Sequence, residues 1–199
     1  GCYINAGREV AVASTKSFTS QVILLSMIAI WFAQQKNINN LKRIRYIKDL
    51  RRLKYDFEKS LEISYNNIDK IIPLLNHNSL FLLGKGKSEA IAKEGALKIK
   101  EITYIHAEGY SSSSLKHGPF SLLKKDFPVI MIAPNDEFYS KINNAYEEVK
   151  ARYARIIFIT NKEEPNKDNV IQLSYNETYA DLLSILPIQL LAFKLSVLK

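Results

Sequence analysis

Leu80-Phe81-Leu82-Leu83 runs directly into Gly84-Lys85-Gly86-Lys87-Ser88 and then into a segment of helical period that ends near Thr103. A short, wholly apolar run that is closed by glycine and followed by a helix reads as a strand buried on both faces, the kind that parallel sheets contain. Val129–Ala133 and Ile156–Thr160 repeat the pattern, Val170–Leu173 repeats it more weakly, and segments of helical period separate them. This alternation predicts an α/β fold of parallel strands joined by crossover helices. Helices are expected at Thr15–Gln34, at Ile44–Leu75 with an interruption, and at Ser88–Thr103, Glu137–Arg152 and Ala180–Leu198. Ser88 and Asp136 stand where N-caps belong. Gly95 lies inside the third helix, where glycine costs ~1 kcal/mol against alanine, and so suggests either close approach by another backbone or a ligand, or a tolerated defect.

Upstream, Cys2-Tyr3-Ile4-Asn5-Ala6 reads as the end of a buried strand, with Cys2 as a small apolar core residue. Residues 1–36 are therefore expected to be the last strand and helix of a preceding domain, 37–70 a connecting helical segment, and 71–199 a second α/β domain. The restart of the strand–turn–helix pattern makes two similar domains plausible.

Composition narrows the function classes. The 199 residues are 47% hydrophobic and 24% charged, enough for a folded core and unlike a disordered chain. The net charge of +8 is concentrated between Lys36 and Lys59, where nine Lys or Arg face three acids. With no nucleic-acid-binding motif beside it, that run reads as a solvated helix surface, and no nucleic-acid partner is expected. A single cysteine excludes an internal disulfide, and no Cys/His cluster has zinc spacing, which points to a reducing cytoplasm. Val22–Ala33 is apolar for about a dozen residues, short of the ~20 a membrane span needs, and reads as a core helix. Leu182–Leu198 carries Pro187, Gln189 and Lys194 and reads as a packed helix, so no membrane association is expected.

Three stretches could carry chemistry. Gly84-Lys85-Gly86-Lys87-Ser88 brings two glycines to a helix start, which suits an anion or a purely structural turn; it lacks the P-loop ending and the third glycine of a dinucleotide fingerprint. Glu94, Lys98 and Glu101 are spaced by four and three residues and share one helix face. Spacing alone favours a surface ion pair; the alternative is that Glu101 moves a proton while Lys98 holds an anion or biases the carboxylate. In Leu115-Lys116-His117-Gly118-Pro119, the Gly-Pro pair leaves His117 at an exposed corner, where an imidazole titrates near neutral pH. His106 reads as a core histidine and His77 as a surface one.

Four blocks together resemble a known family: Ile4-Asn5-Ala6-Gly7-Arg8-Glu9-Val10-Ala11-Val12-Ala13-Ser14-Thr15-Lys16, Glu94-Gly95-Ala96-Leu97-Lys98-Ile99-Lys100-Glu101-Ile102, Tyr104-Ile105-His106-Ala107-Glu108, and Leu115-Lys116-His117-Gly118-Pro119. In order and spacing they look like the isomerase half of the glutamine–fructose-6-phosphate aminotransferase (isomerising) family, the glucosamine-6-phosphate synthases. The resemblance covers essentially the whole chain. It implies SIS-type domains, each a three-layer sandwich with a five-stranded parallel sheet flanked by helices. It also implies fructose 6-phosphate and glucosamine 6-phosphate as substrate and product, ammonia from an N-terminal glutaminase domain, a cytoplasmic homodimer, and neither metal nor organic cofactor.

Carried over by motif, Glu101 matches the base that shuttles a proton between C1 and C2, Lys98 its neighbour in the site, and His117 the ring-opening acid/base supplied by the adjacent subunit. Val12, Ala13 and Ser14 match a stretch lining the sugar pocket, with Glu94 and Lys116 nearby. The family's phosphate-binding loop would precede Gly1 and its imine-forming lysine would follow Lys199, so the chain alone is expected to lack synthase activity. Ser111-Ser112-Ser113-Ser114 departs from the family's small-residue pair and Gly-Glu, and Arg8 replaces a common proline. The competing reading is a non-catalytic, regulatory SIS module that binds a phosphosugar.

Overall fold

The computed structural model describes residues 1–198. Five parallel strands form one sheet: β1 (Ser79–Gly84), β2 (His106–Ser111), β3 (Pro128–Ile132), β4 (Arg155–Thr160) and β5 (Val170–Gln172), in the order β2-β1-β3-β4-β5. The apolar runs behave as parallel-sheet strands should. Successive side chains of β1, β3 and β4 alternate between two separate cores. Leu80, Leu82, Ile130, Ile132, Ile157 and Ile159 face one, while Phe81, Leu83, Val129, Met131, Ile156 and Phe158 face the other.

Helices α1 (Lys16–Gln35), α2 (Asn40–Ile71), α3 (Lys87–Thr103), α5 (Ala180–Leu183) and α6 (Ile185–Val197) contribute to the first core. Helix α4 (Tyr139–Lys150) covers the second, giving three layers. Two glycines set the spacing around α3. A Cβ on Gly84 would collide with the backbone of Ser88, so only glycine lets the first turn of α3 fold back over the strand end. A Cβ on Gly95 would lie 2.8 Å from Ile188 Cγ2 and 3.0 Å from Leu82 Cδ2. The close approach expected at Gly95 is therefore made by side chains of α6 and β1.

Helix α2 is continuous from Asn40 to Ile71; the expected interruption falls at its end, in a 3-10 turn at Ile72–Leu75 that contains Pro73. Its residues Leu53, Asp56, Ser60, Ser64, Ile68 and Ile71 recur at helical period and are buried. Asp56 is fully buried and accepts hydrogen bonds from Arg52 Nε (3.1 Å), Ser174 Oγ (2.8 Å) and Asn176 Nδ2 (2.8 Å). This network ties the helix to the segment after β5.

Several expectations are corrected. No strand forms over residues 1–15 and Cys2 is exposed, because both sheet edges, β2 and β5, are built from other segments and nothing pairs with this stretch. Helix α1 has no fully buried residue: Leu25, Met27, Trp31 and Phe32 are exposed, so it is not a core helix within these residues. At 20 residues α1 is long and apolar enough to cross a membrane, as is Ala180–Val197, a little over half of which is buried inside the fold. Ser88 does not cap α3; its hydroxyl instead donates to Asp181 on α5. Asp136 Oδ1 accepts from the Phe138 backbone N–H at 2.8 Å, one turn ahead of α4. His106 lies on edge strand β2 with its side chain mostly exposed, because alternation along the strand turns it away from buried Ala107.

Candidate active site

Helix α3 crosses β1 and β2 and buries Ile91, Ala92, Gly95, Ala96 and Ile99 against them. The same helical period places Glu94, Lys98 and Glu101 on one adjoining stripe. Lys98 is only 3% exposed, so the surface ion pair that spacing alone favours is not what forms. Its Nζ lies 2.9 Å from Glu101 Oε2 and 3.4 Å from Glu94 Oε1. Two carboxylates therefore share one buried ammonium. Burying a lysine this deeply is tolerated because opposite charge stands on both sides of it.

Glu101 Oε2 is itself buried, and its partner is the Lys98 ammonium at 2.9 Å. The rest of the carboxylate reaches solvent, the side chain being 25% exposed. A carboxylate fixed by a buried cation on one side and open to solvent on the other can exchange a proton on its open side.

The other residues singled out from sequence are not gathered around this group. His117 is exposed in the turn that follows β2, its backbone N–H bonded to Ser114 O at 3.0 Å. Buried Leu115 anchors that turn in the second core, across the sheet from α3. Lys116 Nζ pairs with Glu148 Oε1 of α4 at 2.8 Å and so is held toward α4. Val12 is 85% exposed, Ala13 is buried and Ser14 is half-buried. Just before them, the Glu9 carboxylate accepts the backbone N–H groups of Ser17 (2.8 Å) and Thr15 (3.3 Å), which holds its pKa below the usual carboxylate value. This carboxylate caps α1 in place of an N-cap side chain. Among the described residues no hydrogen bond or ion pair joins residues 12–14 to Glu94, Lys98 or Glu101.

A cavity of about 600 Å³ lies elsewhere, between α1, α2 and the first turns of α3 and α5, lined by Phe18, Val22, Ile30, Ile91 and Leu182 with Lys87 and Asp181 at its polar side. Burial raises the pKa of Asp181, the Ser88 hydroxyl opposes that shift, and the neighbouring Asp136 adds to it. The cavity does not reach Glu101. The Glu101 carboxylate stands instead on a partly open face.

Sequence reasoning missed the strand status of His106–Ser111, the depth of Lys98 and the Asp56 network. The alternation of Ala107, Glu108, Gly109 and Tyr110 was the available signal for the strand; the other two depend on distant segments.

A family model described as the SIS domain matches residues 74–199. A probable glutamine–fructose-6-phosphate aminotransferase [isomerizing] of Acanthamoeba polyphaga mimivirus is 46% identical over 200 residues, covering 99% of this chain and 33% of that protein. The human glutamine–fructose-6-phosphate aminotransferase [isomerizing] 2 is 38% identical, covering 100% of this chain and 30% of its own length. The chain thus spans about a third of the curated relatives it matches. Among solved structures, the C-terminal domain of glucosamine-fructose-6-phosphate aminotransferase from Francisella tularensis superposes with a TM-score of 0.90 at 35% identity, covering 97% of this chain and 56% of that one.

Proposed function

The chain belongs to the SIS domain family, and from that premise we propose that it forms part of the isomerase half of an enzyme converting fructose 6-phosphate and glutamine-derived ammonia to glucosamine 6-phosphate. The observation that carries the proposal is the Lys98–Glu101 pair, in which a partly exposed carboxylate is fixed by a buried ammonium at 2.9 Å.

In this reading, Glu101 takes a proton from C1 of the ketose imine, made acidic by the adjacent C=N, and returns it to C2, converting ketose to aldose. A carboxylate suits both halves of the transfer because it accepts and then releases the same proton. Lys98 holds the carboxylate in place and offsets its charge, and Glu94 holds Lys98 from the other side. His117 exchanges a proton with the ring oxygen in the site of a neighbouring copy. That assignment is supported by its exposure and by its turn being anchored through Leu115 in the second core while α3 packs on the first. Val12, Ala13, Ser14 and Lys116 would line the sugar pocket once the remaining parts of the enzyme are in place.

The same reading takes residues 1–36 as the end of a first SIS domain, 37–70 as a connector and 71–199 as the second SIS domain. The uncovered apolar surface of α1 supports this, since it fits packing against a preceding domain of a cytoplasmic homodimer. A glutaminase domain would supply the ammonia.

The test is Glu101→Gln in a polypeptide that joins this chain to its flanking domains, with exchange of the C1 proton of fructose 6-phosphate followed by NMR in D2O. Exchange is expected to slow at least about 100-fold while sugar binding is retained. Unchanged exchange would overturn the assignment and favour a sugar-binding regulatory role.

A further inference from the structure

The outward face of α2 takes no part in the sugar site. Ile44, Lys48, Arg51, Tyr55, Glu58, Glu62, Tyr65 and Asp69 are spaced alternately by four and three residues, and all eight are exposed. At 100° per residue they form a single stripe almost diametrically opposite the buried stripe of Leu53, Asp56, Ser60, Ser64 and Ile68. A spacing of four and three is the seam of a helix that lies against another helix. Ile44, Ile47, Lys48 and Arg51 enclose a depression of about 260 Å³ at positions i, i+3, i+4 and i+7, the four corners that receive a knob in helix–helix packing.

The charges along the stripe are sorted. Lys48 and Arg51 stand in the amino-terminal half, Glu58, Glu62 and Asp69 in the carboxy-terminal half, and Tyr55 lies near the middle. Among the described residues Lys48, Arg51, Glu62 and Asp69 make no ion pair, and Glu58 has only a 4.0 Å contact with Lys54. Such a stripe complements itself when reversed. Two copies of α2 lying antiparallel about a two-fold axis set Arg51 against the second copy's Glu62, and Lys48 between its Tyr65 and Asp69. A parallel arrangement would set each charge against its own like.

We propose that this face of α2 is a self-association surface that binds a second copy of this chain in antiparallel register, with Tyr65 of each copy entering the depression formed by Ile44, Ile47, Lys48 and Arg51 of the other. The proposal rests on this helix face alone and stands whether or not the reading of the sugar site holds. From Ile44 to Asp69 the stripe is about 38 Å long. A single helix pair of that length buries less than the ~1,600 Å² of a standard interface, so the contact is weak, reversible and sensitive to salt.

The test is sedimentation velocity on the whole chain carrying Cys2→Ser, over a concentration series at low and high salt. Arg51→Glu and Glu62→Arg are each expected to weaken association by about tenfold or more. The double variant Arg51→Glu/Glu62→Arg is expected to recover it, because the two residues are eleven apart on one helix and meet only across the two-fold axis. Both positions are exposed, and far-UV circular dichroism checks that the helix is retained. A wild-type chain that stays monomeric overturns the proposal, as does a double variant that fails to recover. Association unaffected by either single change would place the contact on another face, which also overturns it.

Discussion

Lys98 Nζ, on a side chain buried in the fold, stands 2.9 Å from Glu101 Oε2, while the Glu101 side chain stays 25% exposed. Structural ion pairs of buried groups are ordinarily completed by hydrogen bonds to the remaining lone pairs. This one leaves part of the Glu101 carboxylate open to solvent.

Replacing Lys98 with Met keeps the volume of the side chain and strands Glu94 and Glu101 beside each other. Because both carboxylates are partly exposed, the cost is expected at about 2 kcal/mol, below that of breaking a fully buried pair. Adding Glu94→Gln should restore part of the loss. Denaturant titration of the three variants measures it, and equal stability of Lys98→Met and the native chain would contradict the charge argument.

The proposed sharing of the site between subunits predicts complementation. Glu101→Gln and His117→Ala variants of the complete enzyme should each be inactive alone. If His117 serves the neighbouring copy, co-refolding equal amounts should return about a quarter of native activity, since half the dimers are mixed and each mixed dimer has one intact site. No recovery on mixing would place His117 in its own subunit's site or outside catalysis.

At Gly95, alanine would gain ~1 kcal/mol in helix propensity. Its Cβ would lie 2.8 Å from Ile188 Cγ2, a methyl of a β-branched side chain that cannot swing away, and 3.0 Å from Leu82 Cδ2. Overpacking of this kind costs about 1–3 kcal/mol, so Gly95→Ala is expected to destabilise by about 1 kcal/mol. Ile188→Ala in the same chain should remove the clash, so that Gly95→Ala becomes neutral or stabilising in that background by thermal unfolding.

Asp181 gives a pH dependence whose sign follows from burial. Its pKa is raised above 3.8, so the folded state binds its proton more tightly than the unfolded state does. The stability it contributes is full below about pH 3.8 and is lost as the pH rises through the folded-state value. Asp181→Asn retains an oxygen to accept from Ser88 and removes the charge. It is expected to raise the melting temperature at pH 7 and to leave it unchanged at pH 3. A variant less stable than native at pH 7 would mean that attraction to Lys87 outweighs desolvation.

The sequence alone determined the parallel α/β architecture, because strands buried on both faces must be apolar throughout and their flanking glycines must turn the chain. Leu80–Leu83, Val129–Ala133 and Ile156–Thr160 were legible for that reason, and the shared face of Glu94, Lys98 and Glu101 followed from helical period. Edge strand β2 was not, since an edge strand has one open side and tolerates His106 and Glu108 in place of apolar residues. Depth was not legible either: whether Lys98 is a surface cation or a buried one depends on how α3 seats against the sheet and the rest of the fold. Only the tertiary structure could decide that His117 and Glu101 of one chain lie across the sheet from each other, because alternation assigns residues to faces but does not say which helix or turn covers each face.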